Sequence, residues 1–171
     1  MRLSILAILI AFTATARADV TFQTHEEFGV DFAMIHAPRT DEGETAAGSV
    51  IHYASTSSRS PSWLMFGIQA GLFTASSDRI LAPLLFNLRI GDRHGPFARL
   101  DLGWIVTTPI GEEDDDNTWS HALGATVGWK LGAWQLSAGA MKSGAFTGPA
   151  YMFTLGRDLV YLDSVVTRSA P

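Results

Sequence analysis

The sequence contains no cysteine. That excludes disulfides, thiolate metal sites and a lipidated amino-terminal cysteine. Charge is scarce as well: 17% of residues are Asp, Glu, Lys or Arg, and the formal net charge is −5. An acidic chain lacks the basic stripe that nucleic-acid binding needs. No apolar run reaches the ~20 residues of a membrane-spanning helix. The longest, Trp63 to Ala75, is interrupted by Gly67, Gln69 and Gly71. No phosphate loop, dinucleotide fingerprint or Gly-x-Ser-x-Gly elbow is present. The five histidines, His25, His36, His52, His94 and His121, fall in no zinc spacing. No cofactor and no metal site are therefore expected.

The first residues read as an export signal. Arg2 supplies a positive start, Leu3 to Phe12 an apolar stretch, and Ala16-Arg17-Ala18 a cleavage site. Cleavage after Ala18 removes 18 of the 171 residues and two of the 12 basic ones, so the mature part carries 10 basic against 17 acidic residues. What remains has the size of one domain. Export without cysteine points to a bacterial envelope.

What the mature chain has is alternation. Leu64, Phe66, Ile68, Ala70 and Leu72 are apolar on one parity, with Met65, Gly67, Gln69 and Gly71 on the other. The pattern repeats from Ile80 to Ile90, where Asn87 and Arg89 take the second parity. It repeats again from Ala98 to Val106, against Arg99, Asp101 and Gly103. Leu123 to Lys130, Trp134 to Ala140 and Tyr151 to Asp158 follow the same rule. Two weaker segments precede them, Glu27 to Met34 and the short Ser49 to Ala54. A period of two is the strand period, and the helical spacing i, i+3, i+4, i+7 is absent. Pro83 removes a ladder donor, so it is expected at a strand start or a bulge.

Eight segments of this kind predict an all-β fold, an antiparallel up-and-down eight-stranded transmembrane β-barrel. The expected division is a signal peptide over 1–18, the barrel over 19–162 and a polar tail over 163–171. Turns at Thr56–Pro61, Gly91–Pro96 and Leu131-Gly132 fall at one end. Connections at His36–Gly48, Ala75–Asp78, Pro109–Thr118 and Ser143–Gly148 fall at the other. Trp63, Trp104, Trp119, Trp129, Trp134 and Tyr151 lie near segment ends, as an aromatic girdle does.

A signal followed by eight alternating strands resembles the small outer-membrane β-barrels of Gram-negative bacteria. The resemblance implies an outer-membrane location and contact with membrane lipid and lipopolysaccharide. Such barrels end on a strand whose last residue is aromatic, and the chain departs from that pattern: Tyr161 is the last aromatic and a polar tail follows. The last hairpin, Met141-Lys142-Ser143-Gly144, has a faint likeness to the lipid A deacylase barrels, in which a His-x-Ser-Asn segment supplies base and nucleophile. Only Ser143 matches; Met141 stands at the base position, and the carboxylate position falls near Ala150.

Glu27, Asp31, Asp101 and Asp158 share the inner parity with Arg89, Arg99 and Lys130. Charges inside an eight-stranded barrel must pair, and a structural ion network is expected. The run Glu112, Glu113, Asp114, Asp115, Asp116 is a candidate external loop for divalent cations, although it lacks a calcium-loop spacing. No catalytic residue is expected. The expected role is structural or interactive at the envelope. One alternative is a lipid-modifying barrel enzyme. The other inverts the faces, giving a soluble periplasmic barrel of lipocalin type around an apolar ligand.

Overall fold

The computed structural model describes residues 20–37, 43–56, 63–91, 94–110 and 117–168. Signal residues 1–18 and the acidic run 112–116 lie outside the described residues. Eight antiparallel strands form one closed barrel in sequence order: β1 (Val20–Ala37), β2 (Glu44–Ser55), β3 (Leu64–Ala75), β4 (Arg79–Gly91), β5 (Pro96–Pro109), β6 (Thr118–Leu131), β7 (Trp134–Ser143) and β8 (Ala150–Arg168). The even count brings the start of β1 and the end of β8 to one end of the barrel, together with the strand ends that flank 56–63, 92–95 and 132–133. We refer to this as the terminal end. The strand ends that flank 38–43, 76–78, 110–117 and 144–149 stand at the far end.

The register fixes the shape. Paired residues lead once around the barrel from His36 through Tyr151, Ala140, Ala125, Leu100, Leu88, Phe66 and Ser55 to Glu26, a return ten positions back along β1 (36 to 26). With a rise of ~3.3 Å per residue and strands ~4.8 Å apart, that stagger tilts the strands by about 40° and sets a radius of about 8 Å. A cylinder of this radius is filled by its own side chains.

The alternation is realised strand by strand. On β5, Phe97, Arg99, Asp101 and Ile105 are buried while Leu100, Leu102 and Trp104 are exposed. The two-residue turn between β6 and β7 starts with Gly132 at φ 61°, which glycine reaches without strain.

Four departures from the sequence expectation have local causes. β2 begins at Glu44, so the first far-end connection is 38–43 and not His36–Gly48; Ala46 and Val50 supply buried inward positions there. Pro83 lies inside β4, paired with Ile105, and not at a start or a bulge. The β3–β4 ladder instead skips from Ala70↔Leu84 to Phe73↔Leu81 with its register unchanged, which accommodates the missing N–H. β8 runs through Arg168, so residues 163–168 continue the strand across the boundary expected at 162. They pair with β1 as far as Val20↔Arg168. Finally, a β-bulge interrupts β1–β8 between Phe28 and Gly29, where Phe28 pairs with Val160 and Gly29 with Asp158. The extra residue, Leu159, switches the parity of β8 beyond it. Leu159 and Val160 are both exposed, and Tyr161 then turns inward.

Candidate functional site in the barrel interior

The lumen is divided lengthwise by chemistry. Its terminal half holds charges. Its far half holds an apolar plug of Ile35, Val50, Phe73, Leu81, Leu85, Ile105, Met141 and Met152, on which Ala145 and Phe146 of the β7–β8 connection fold down.

The charged half brings together all seven residues expected there. Glu27 on β1 and Lys130 on β6 are each 1% exposed and form an ion pair. Lys130 Nζ lies 2.5 Å from Asp158 of β8. Arg89 of β4 donates to Glu27 at 3.0 Å and stacks its guanidinium 4.3 Å above the Phe97 ring. Arg99 and Asp101 of β5 pair at 3.0 Å. Arg89 and Arg99 stand directly opposite each other, which alone is unfavourable; Glu27 and Asp101 compensate.

Sequence inspection missed His52 and Gln135. His52 of β2 is the bridge of the network: Nδ1 is 3.1 Å from Asp31 and Nε2 is 3.2 Å from Asp158. Both ring nitrogens thus face carboxylates, the arrangement of an imidazolium. With that charge the cluster balances: Glu27, Asp31, Asp101 and Asp158 against Arg89, Arg99, Lys130 and His52. Gln135 of β7 donates to Asp31 at 2.8 Å. The signal was present in parity, since His52 has the same parity as Val50 and Ala54, but Ser49 to Ala54 alternates too weakly to assign a face. At the terminal rim His25 pairs with Asp163, and the Tyr161 ring stacks on His25 with centroids 6.5 Å apart.

Glycines make room for this network. A Cβ on Gly29 would stand 2.6 Å from His52 Cε1, and one on Gly156 would collide with Asp31 Oδ1 and lie 2.8 Å from Gln135. Gly156→Ala is expected to destabilise the barrel by about 1–3 kcal/mol through this overpacking. Gly124→Ala meets its nearest atom at 3.5 Å and is expected to stay within about 0.5 kcal/mol of the parent. Urea unfolding of the refolded proteins compares the two.

The lumen leaves small gaps. One in the plug, lined by Phe73, Leu81, Met141 and Met152 among others, has about 10 Å³, and a polar one beside Glu27, His52 and Arg99 has about 20 Å³. These are the dimensions of single water sites. An open recess of about 460 Å³ lies above the plug. At its base Glu44 accepts from Arg79 Nε at 2.7 Å and from Ser77, and Arg79 also donates to the Ala145 carbonyl at 3.0 Å. These bonds tie the last connection across the far mouth.

The aromatic set faces outward. Trp119, Trp129, Trp134 and Tyr151 are exposed within three residues of a strand end, and Trp63 directly precedes β3. Arg157 stacks 5.3 Å from the Trp134 ring. Trp104 sits deeper, five residues in from Pro109, beside His121 at 6.1 Å. Ser120 is buried and His121 exposed, so adjacent positions place them on opposite faces. Ser143 is buried, and its Oγ accepts the Ala145 N–H at 3.3 Å. Ser120 and Ser143 thus face the lumen, and His121 faces outward.

Comparison of the chain with family models, curated proteins and solved structures gives no match.

Proposed function

We propose that the chain is a β-barrel of the bacterial outer membrane with a structural or interaction role, its terminal end in the periplasm and its far end, with the acidic connection 110–117, outside. The observation that carries this reading is the distribution of polarity about the wall. Every strand turns large apolar side chains outward, among them Phe32, Ile51, Leu72, Phe86, Leu102, Leu123, Leu136 and Phe153, all at least half exposed. The ion network lies inside. Monomers in water rarely expose contiguous apolar patches beyond a few hundred Å², whereas a barrel in lipid needs an apolar band about 25 Å tall. At a 40° tilt, the nine-residue outward run Ala98 to Val106 on β5 covers about 20 Å of that height, and exposed aromatics extend it at both ends.

The filled lumen favours a solid platform over a ligand carrier. A lipocalin-type barrel needs an apolar cavity, and here Phe73, Leu81 and Ile105 occupy the apolar half at 1% exposure. The exposed rims are left to do the work: connections that contact ions, lipopolysaccharide or partner proteins.

Fractionation of the expressed protein tests the reading, with unboiled and boiled samples compared on a gel. The expected result is recovery in the outer membrane with a mobility shift on boiling. Recovery as a soluble periplasmic protein would overturn it.

A further inference from the structure

An open apolar groove of about 510 Å³ crosses the outward faces of β7, β8, β1 and β2. Its origin is in the sequence. β2 presents Ala47 and Ser49 where its neighbours present bulk: Met34 and Phe32 are their partners on β1, and Leu72 is the β3 partner of Ser49. Phe153 and Leu155 of β8 continue the wall, paired with Met34 and Phe32.

The groove is capped at its far end by polar groups. One register step beyond Met34, Ala47 and Phe153 stand His36, Thr45 and Tyr151, and His36 Nδ1 lies 3.1 Å from Thr45 Oγ1. Lys142 of β7 is exposed and faces outward, diagonal to Tyr151, whose direct partner is Ala140. A diagonal neighbour is about 7–8 Å away, within reach of a long side chain. Among the described residues, no carboxylate faces outward on the far halves of these four strands; Glu44 points into the lumen. The cap thus offers a cation, an imidazole and two hydroxyls directly above an apolar trough.

We infer that this groove holds one acyl chain of a phosphorylated glycolipid of the outer leaflet, lipopolysaccharide, with a phosphate at Lys142 and His36. The assignment rests on the membrane reading, because the occupant comes from the leaflet that surrounds the far end. Charge complementarity selects a phosphorylated lipid. The position of the cap at the far end selects the outer leaflet.

Native mass spectrometry of the refolded barrel in detergent tests this, with lipid A, dephosphorylated lipid A and phosphatidylglycerol as probes. Ala47→Phe fills the groove from the outer face, and Ala98→Phe makes the same change on β5, away from it. Lipid A is expected to be retained by the parent and by Ala98→Phe and lost from Ala47→Phe. Lys142→Gln is expected to weaken retention about fivefold, the scale of one basic side chain at a lipid surface. Equal retention by both Phe variants would overturn the assignment, as would indifference to phosphate or equal binding of phosphatidylglycerol. A dimer abolished by Ala47→Phe would also overturn it, naming a second copy as the occupant. A boiled-versus-unboiled gel on the same samples separates the two failures. A shifted, folded barrel that retains no lipid overturns the groove assignment alone. A chain that folds without detergent overturns the membrane reading beneath it.

Discussion

Lys130→Met is expected to destabilise the barrel by about 3–5 kcal/mol, the cost of stranding buried charges. Lys130 touches Glu27 and Asp158, and all three are nearly or wholly inaccessible. Methionine retains length and apolar volume, so the loss reports the charge and not a cavity. Glu27 keeps Arg89, and Asp158 keeps His52, but the cluster then has three cations for four carboxylates. Asp158→Asn removes the surplus carboxylate. The double variant should therefore lose less than the sum of the two single losses, with a coupling of about 1–3 kcal/mol. Urea unfolding of the refolded proteins measures all four corners of the cycle. A loss below about 1 kcal/mol for Lys130→Met would mean that the pairs are screened as surface pairs are, and that water fills the terminal half of the lumen.

The network also shows what the sequence could reveal. Strand existence was legible because period two survives in any barrel wall, and seven interior charges were legible because each lies on the parity opposite its strand's continuous apolar row. His52 escaped because both parities of Ser49 to Ala54 mix polar and apolar residues. Its face is set by the partners of β2, not by β2 itself. Tyr161 escaped for a different reason. Counting parity from Tyr151 puts it outside, and only the extra residue at Leu159 turns it in. A bulge is a pairing event between β1 and β8, and no local pattern in β8 announces it. The same holds for the length of β8, since Ser164 to Arg168 are polar or short apolar residues that become a strand through Val20 to Thr24.

The division of the lumen follows from register as well. Because the strands run up and down in sequence order, the inward positions of the terminal half come from early β1, late β2, early β3, late β4 and early β5. Those segments carry Glu27, His52, Met65, Arg89 and Arg99. A slip of one residue in any pair would drive Phe and Leu into the lumen and expose the ions. The charges therefore specify the pairing even where an apolar replacement of a whole cluster would be as stable.

Leu102→Arg is the second large effect, and it decides between water and lipid at the wall. Leu102 is 63% exposed, near the middle of β5, and pairs with Phe86 and Leu123, which also face outward. No interior contact is altered. On a surface facing water such a change stays within about 0.5 kcal/mol. At the midplane of a bilayer an outward Arg costs about 2–4 kcal/mol, falling to about 0–1 near the interface. Leu131→Arg supplies the interface comparison, since Leu131 is 71% exposed at the end of β6. Unfolding of both variants from lipid vesicles is expected to give the large loss for Leu102→Arg and a small one for Leu131→Arg. A depth-dependent cost requires a slab of hydrocarbon around the barrel, because water is equally polar at every height. Two equal, negligible losses would instead mean that this wall faces solvent, and the apolar belt would then need a protein partner to cover it.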